Sequence, residues 1–65
     1  MILHLNGEPR EVEAASLDAL LRELGVEPAA VATAHNGEFV PRGERADIRL
    51  TAGDKVELLS PMQGG

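Results

Sequence analysis

The sequence predicts a two-layer α+β fold, a mixed sheet of four to five strands with one main helix packed on one face. Three observations carry this expectation. Only one segment, Leu17 to Leu24, repeats its apolar residues with helical period. The segments around it alternate apolar and polar residues, as half-buried strands do. Two Asn-Gly pairs, Asn6-Gly7 and Asn36-Gly37, separate neighbouring strand-like segments, and both turn positions of such a pair tolerate positive φ.

Taken in order, Met1 to Leu5 places Met1, Leu3 and Leu5 on one face and Ile2 and His4 on the other. After Asn6-Gly7 the alternation resumes from Arg10 to Ala14 with Val12 and Ala14 inward, so the chain opens with a β-hairpin. The period then changes. Leu17, Leu20, Leu21 and Leu24 stand at i, i+3, i+4 and i+7 and make one apolar stripe. Ser16 is a good N-cap, Asp18 suits the positive end of the helix dipole, and Gly25 suits the left-handed C′ position, with Val26 as its apolar contact. A helix this short is marginal alone and has to dock its stripe on a sheet.

Pro28 breaks the chain, and Val31 to His35 reads as a strand. Beyond Asn36-Gly37, Phe39-Val40 is a short returning strand ended by Pro41. Arg42 to Asp47 reads as polar and irregular, and its stretch from Gly43 carries no signal. Ile48 and Leu50 regain apolar character, Gly53-Asp54 marks a turn, and Lys55 to Ser60 is the last strand with Val56 and Leu58 inward. If the first and last strands pair in parallel at the centre, the helix supplies their crossover. That is the plan of a β-grasp, or ubiquitin-like, domain. It occupies residues 1–60 and leaves 61–65 as a flexible C-terminal tail ending in Gly-Gly.

Composition narrows the function. Eleven acidic against six basic residues, a formal net charge of −5, disfavour nucleic-acid binding, which needs Lys and Arg on phosphates. A partner with a basic surface is favoured instead. There is no Cys, and His4 and His35 supply at most two metal ligands, so no metal site is expected. No apolar run approaches the ~20 residues that span a bilayer, and the N-terminus has no signal-peptide pattern. The expectation is a soluble, cytoplasmic protein with no membrane or nucleic-acid partner.

The tail has two readings. Pro61 cannot donate to a sheet ladder and ends the last strand. Gly64-Gly65 fits a frayed end. It equally fits a thin leash, since glycines have no Cβ to clash with the walls of a channel. A carboxylate on such a leash becomes a good acyl donor once it attacks the α-phosphorus of ATP. A sulfur nucleophile can then displace AMP, and no catalytic side chain on this chain is required.

Over its whole length the sequence resembles the ThiS family, the sulfur-carrier proteins of thiamine biosynthesis. The resemblance rests on Asn6-Gly7, the leucine-rich helix, the run Asn36-Gly37-Glu38-Phe39-Val40-Pro41-Arg42, the run Leu50-Thr51-Ala52-Gly53-Asp54-Lys55-Val56-Glu57, and the close Pro61-Met62-Gln63-Gly64-Gly65. It implies a carrier rather than an enzyme. A ThiF-like adenylating enzyme would activate the Gly65 carboxylate with ATP and magnesium, no cofactor being bound permanently. A cysteine desulfurase or other persulfide donor would convert it to a thiocarboxylate, and a ThiG-like thiazole synthase would take the sulfur. Gly65 is then the sulfur-carrying residue, and Gly64, Gln63 and Met62 thread the tail into partners. Related carriers for tRNA thiolation, cysteine or molybdopterin synthesis share this chemistry, as does a ubiquitin-like protein modifier.

The remaining motifs read first as structure. Both Asn-Gly pairs are turns, Gly53-Asp54 aims the last strand, and His4 and His35 are surface or edge residues. Outward-facing Ile2, Phe39 and Leu59, with Met62 nearby, are candidates for one apolar docking patch.

Overall fold

Strands β1 (Ile2–Leu5) and β2 (Glu8–Glu11) form the opening hairpin of the computed structural model, which describes residues 1–60. Asn6 at φ 50° and Gly7 at φ 85° make the turn. β2 starts directly after the turn, earlier than the alternation suggested, because the register runs without slip from Leu5↔Glu8 to Ile2↔Glu11. Its Pro9 is tolerated because β2 is an edge strand. Val12 and Ala14 lie past the end of β2 and are buried nonetheless. The Val12 N–H donates to the Met1 carbonyl at 2.8 Å. The Glu23 carboxylate accepts from the Glu13 and Ala14 amides at 3.0 and 2.8 Å, which fastens this crossing to the helix.

Helix α1 spans Leu17–Leu24. Ser16 Oγ accepts from the Ala19 amide at 3.1 Å, and Asp18 pairs with Arg22 one turn on. Gly25 takes the left-handed conformation at φ 72°, and the Val26 amide donates back to the Leu21 carbonyl, closing the C-terminus. Leu17, Leu20 and Leu21 are fully buried and Leu24 partly so. Each such leucine contributes about 2 kcal/mol by leaving water, which is what holds an eight-residue helix that would not persist alone.

A short 3-10 turn, Pro28–Ala30, leads into β3 (Ala32–His35), and Asn36-Gly37 returns the chain along β4 (Glu38–Val40). β5 (Lys55–Leu59) completes a five-stranded sheet of order β2-β1-β5-β3-β4. β5 is parallel to β1 and antiparallel to β3, so the first and last strands pair centrally, as the β-grasp plan requires. One face carries Leu3, Thr33, Val40 and Val56 into the core beneath α1, joined by Leu50. The other face is open.

The segment expected to be irregular is ordered. Arg42–Asp47 forms a 3-10 helix lying against α1, and its Arg45 is only 3% exposed. The guanidinium donates from Nε to Thr33 Oγ1 at 3.1 Å, from Nη1 to the Pro28 carbonyl at 2.9 Å and from Nη2 to the Val31 carbonyl at 2.7 Å. The Thr33 hydroxyl in turn donates to the Val40 carbonyl at 2.8 Å. The planar fork of arginine lets one side chain reach three acceptors on separate parts of the chain.

Candidate functional site

The residues expected to carry the chemistry, Met62, Gln63, Gly64 and Gly65, lie outside the described residues; β5 is the element that precedes them in the chain. β5 is held on both sides. Toward β3 its register runs from His35↔Val56 to Ala32↔Leu59. Toward β1 the parallel pairing covers only His4↔Lys55 and Leu5↔Val56, because β1 then enters its turn.

Two asparagine side chains extend this hold. Asn6 donates its backbone N–H to the Val56 carbonyl at 2.9 Å, and its Oδ1 accepts from the Leu58 amide at 2.9 Å. Its Nδ2 approaches the Leu58 carbonyl at 3.4 Å. Asn36 makes the matching pair at the other end, its N–H to the Lys55 carbonyl at 2.7 Å and its Oδ1 to the Lys55 amide at 2.9 Å. Both asparagines have φ 50°, which turns their backbone carbonyls off the ladder and leaves the side-chain amide to take their place. The Asn-Gly pairs are therefore turns, as expected, with a second role that pattern reading missed.

Asp54, just before β5, anchors the same end as Asn36. Its Oδ2 lies 2.8 Å from His35 Nε2 and accepts the Thr51 amide at 2.9 Å, while Oδ1 accepts the Thr51 hydroxyl at 2.9 Å. A carboxylate can only accept, so Nε2 carries the hydrogen. Burial pushes the Asp54 carboxyl up, but hydrogen bonds from His35, from the Thr51 amide and hydroxyl and from Asn36 outweigh it. They hold the group far below its ordinary range. His35 is thus a partner of Asp54 rather than a free surface residue. His4 sits outward on β1 opposite Lys55.

Ile2, Phe39 and Leu59 are all exposed, at 53, 68 and 61%. They do not share one patch. Phe39 pairs with Ala34, and Leu59 with Ala32, on neighbouring rungs of the open face. Two strand spacings and two residues separate them by about 12 Å, across a floor of alanines. Ile2 is level with Gly53, whose amide donates to the Ile2 carbonyl at 2.9 Å. That is six residues before Leu59, about 20 Å along the sheet. The apolar face at the tail end comprises Phe39, Ala34, Ala32 and Leu59, without Ile2. Among the described residues no three His, Asp or Glu side chains gather as a metal site, and no helix is long and apolar enough to cross a membrane.

Comparison with known proteins agrees with this geometry. The model of the ThiS family matches residues 3–65. The sulfur carrier protein ThiS of Thermus thermophilus is 46% identical over 61 residues, covering 94% of this chain and 95% of that protein. A thiazole synthase of Paramagnetospirillum magneticum is 41% identical over 66 residues, but the chain spans only 20% of its length. The crystal structure of the thiamine biosynthesis protein ThiS from Geobacter metallireducens superposes with a TM-score of 0.84 at 36% identity, covering both chains fully.

Proposed function

The chain belongs to the ThiS family, and we propose that it is a sulfur carrier of thiamine biosynthesis, not a catalyst, whose Gly65 carboxylate is adenylated and converted to a thiocarboxylate. The observation that carries this reading is similarity over almost the whole length to a sulfur carrier, with a family match that runs to Gly65 itself. The fold supports it: β5 is fastened along both edges and delivers the chain toward that residue from a fixed root.

A carboxylate oxygen of Gly65 attacks the α-phosphorus of ATP on a ThiF-like enzyme, and pyrophosphate leaves with the magnesium that neutralises it. The outer sulfur of a protein persulfide then attacks the acyl carbon and expels AMP. A thiolate attacks the donor-side sulfur of the resulting acyl disulfide, so the donor departs as a mixed disulfide and the thiocarboxylate stays on Gly65. A ThiG-like thiazole synthase is the acceptor, a role supported by the likeness of this chain to part of a thiazole synthase. All of this takes place in the cytoplasm. The partners dock on the Phe39–Leu59 face, and Met62, Gln63 and Gly64 pass through the narrow approach to the nucleotide.

Intact-mass measurement after incubation with the adenylating enzyme, ATP and a persulfide donor tests the reading. One oxygen should be exchanged for sulfur, and the product should support thiazole formation by a reconstituted thiazole synthase. Deleting Gly65, or adding a residue after it, should abolish the exchange. Exchange in the extended variant contradicts the mechanism.

A further inference from the structure

β5 has two ends, and each is gripped by a different asparagine. Asn36 holds the start, at Lys55, together with the Asp54 cluster. Asn6 holds the far end, at Leu58, seven residues before Gly65. On that edge β1 no longer pairs with β5 through its backbone, so the Leu58 amide has the Asn6 side chain as its acceptor. We propose that Asn6 is a positioning residue for the sulfur-transfer reaction: its side-chain amide fixes the last stretch of β5 and thereby the point and direction from which the tail departs.

This rests on the sulfur-carrier reading and adds a residue to it. Asn6 touches neither the nucleotide nor the acyl carbon, so its effect falls on how often the carrier presents its tail correctly when it docks. A partly populated competent state weakens apparent affinity in proportion to its population. Once the tail is seated, the chemistry is unchanged. The signature is therefore a raised KM for the carrier with kcat preserved.

Asn6→Gly and Asn36→Gly make a matched pair, because glycine accepts the left-handed backbone of both turns and only the side chain is lost. Adenylation would be followed with the carrier as the varied substrate. Asn6→Gly should raise KM about fivefold, the worth of one hydrogen bond, and speed hydrogen exchange at the Leu58 amide. Asn36→Gly should lower thermal stability at least as much yet leave KM within about twofold. Asn6→Asp, which keeps the acceptor oxygen for Leu58 while exchanging the long Nδ2 contact for a charged oxygen, should restore part of the affinity and the slow exchange at the Leu58 amide. Equal KM effects at both positions, or an unchanged KM in Asn6→Gly, overturn the positioning role while leaving the carrier function intact. A wild-type chain that is not adenylated overturns the functional reading, and the positioning role with it.

Discussion

Asp54 shows how much a single side chain sets at the base of the last strand. It is half-sunk beside His35, and four hydrogen bonds to His35, the Thr51 amide and hydroxyl, and Asn36 favour its charged form. Its folded pKa is depressed, so its contribution is fully present above the unfolded value of 3.8 and is lost as pH falls below it toward the folded value. Asp54→Asn keeps one acceptor oxygen and removes the charge. It should cost about 2 kcal/mol in urea unfolding at pH 7, the worth of hydrogen bonds to an ionised group. The gap between wild type and variant should shrink steadily as the pH is lowered below 3.8. A gap that is the same at pH 7 and in acid would show that the carboxylate charge contributes nothing.

Among the elements, the 3-10 helix Arg42–Asp47 depends most on one contact. Arg45 reaches from it to the Pro28 and Val31 carbonyls and to Thr33, so it joins the turn before β3, β3 itself and the cover over the sheet. Among the described residues no carboxylate pairs with it. Arg45→Met keeps the aliphatic stem but strands two part-buried carbonyls and the buried Thr33 hydroxyl, and should cost about 2 kcal/mol by chemical denaturation. A loss below about 1 kcal/mol would mean that water reaches those carbonyls. This element also marks the limit of pattern reading. The helix α1 was legible because its cap, stripe and C-terminal glycine are signals within ten residues. Both hairpins were legible because Asn-Gly dictates the turn. Arg45 was not, since its acceptors lie 12 to 17 residues away and a lone arginine in a polar run looks solvated. The reach of Asn6 to Leu58, across 52 residues, was hidden for the same reason.

At the scale of the whole molecule, the fold separates a face that is closed by α1 from one that is open, and the open face is divided along its length. The end at Ile2 lies beside Glu11 and the loop before β5, whereas the end at Leu59 adjoins the route to Gly65. Only the second end combines an exposed aromatic, an exposed leucine and two alanines on adjoining rungs. Glu57 lies beside it, level with Ala34, on a chain of net charge −5, which suits an interface with an apolar centre and a basic partner rim. Leu59→Glu should therefore leave the fold within about 0.5 kcal/mol of wild type, since the side chain is mostly in water. It should also raise KM with the adenylating enzyme at least tenfold, the effect of about 1.4 kcal/mol of lost binding. Ile2→Glu, equally exposed but about 20 Å away, should leave KM unchanged. A folded Leu59→Glu variant with wild-type adenylation kinetics would remove this face from the partner interface. A large effect from Ile2→Glu would show instead that the partner covers the sheet from end to end.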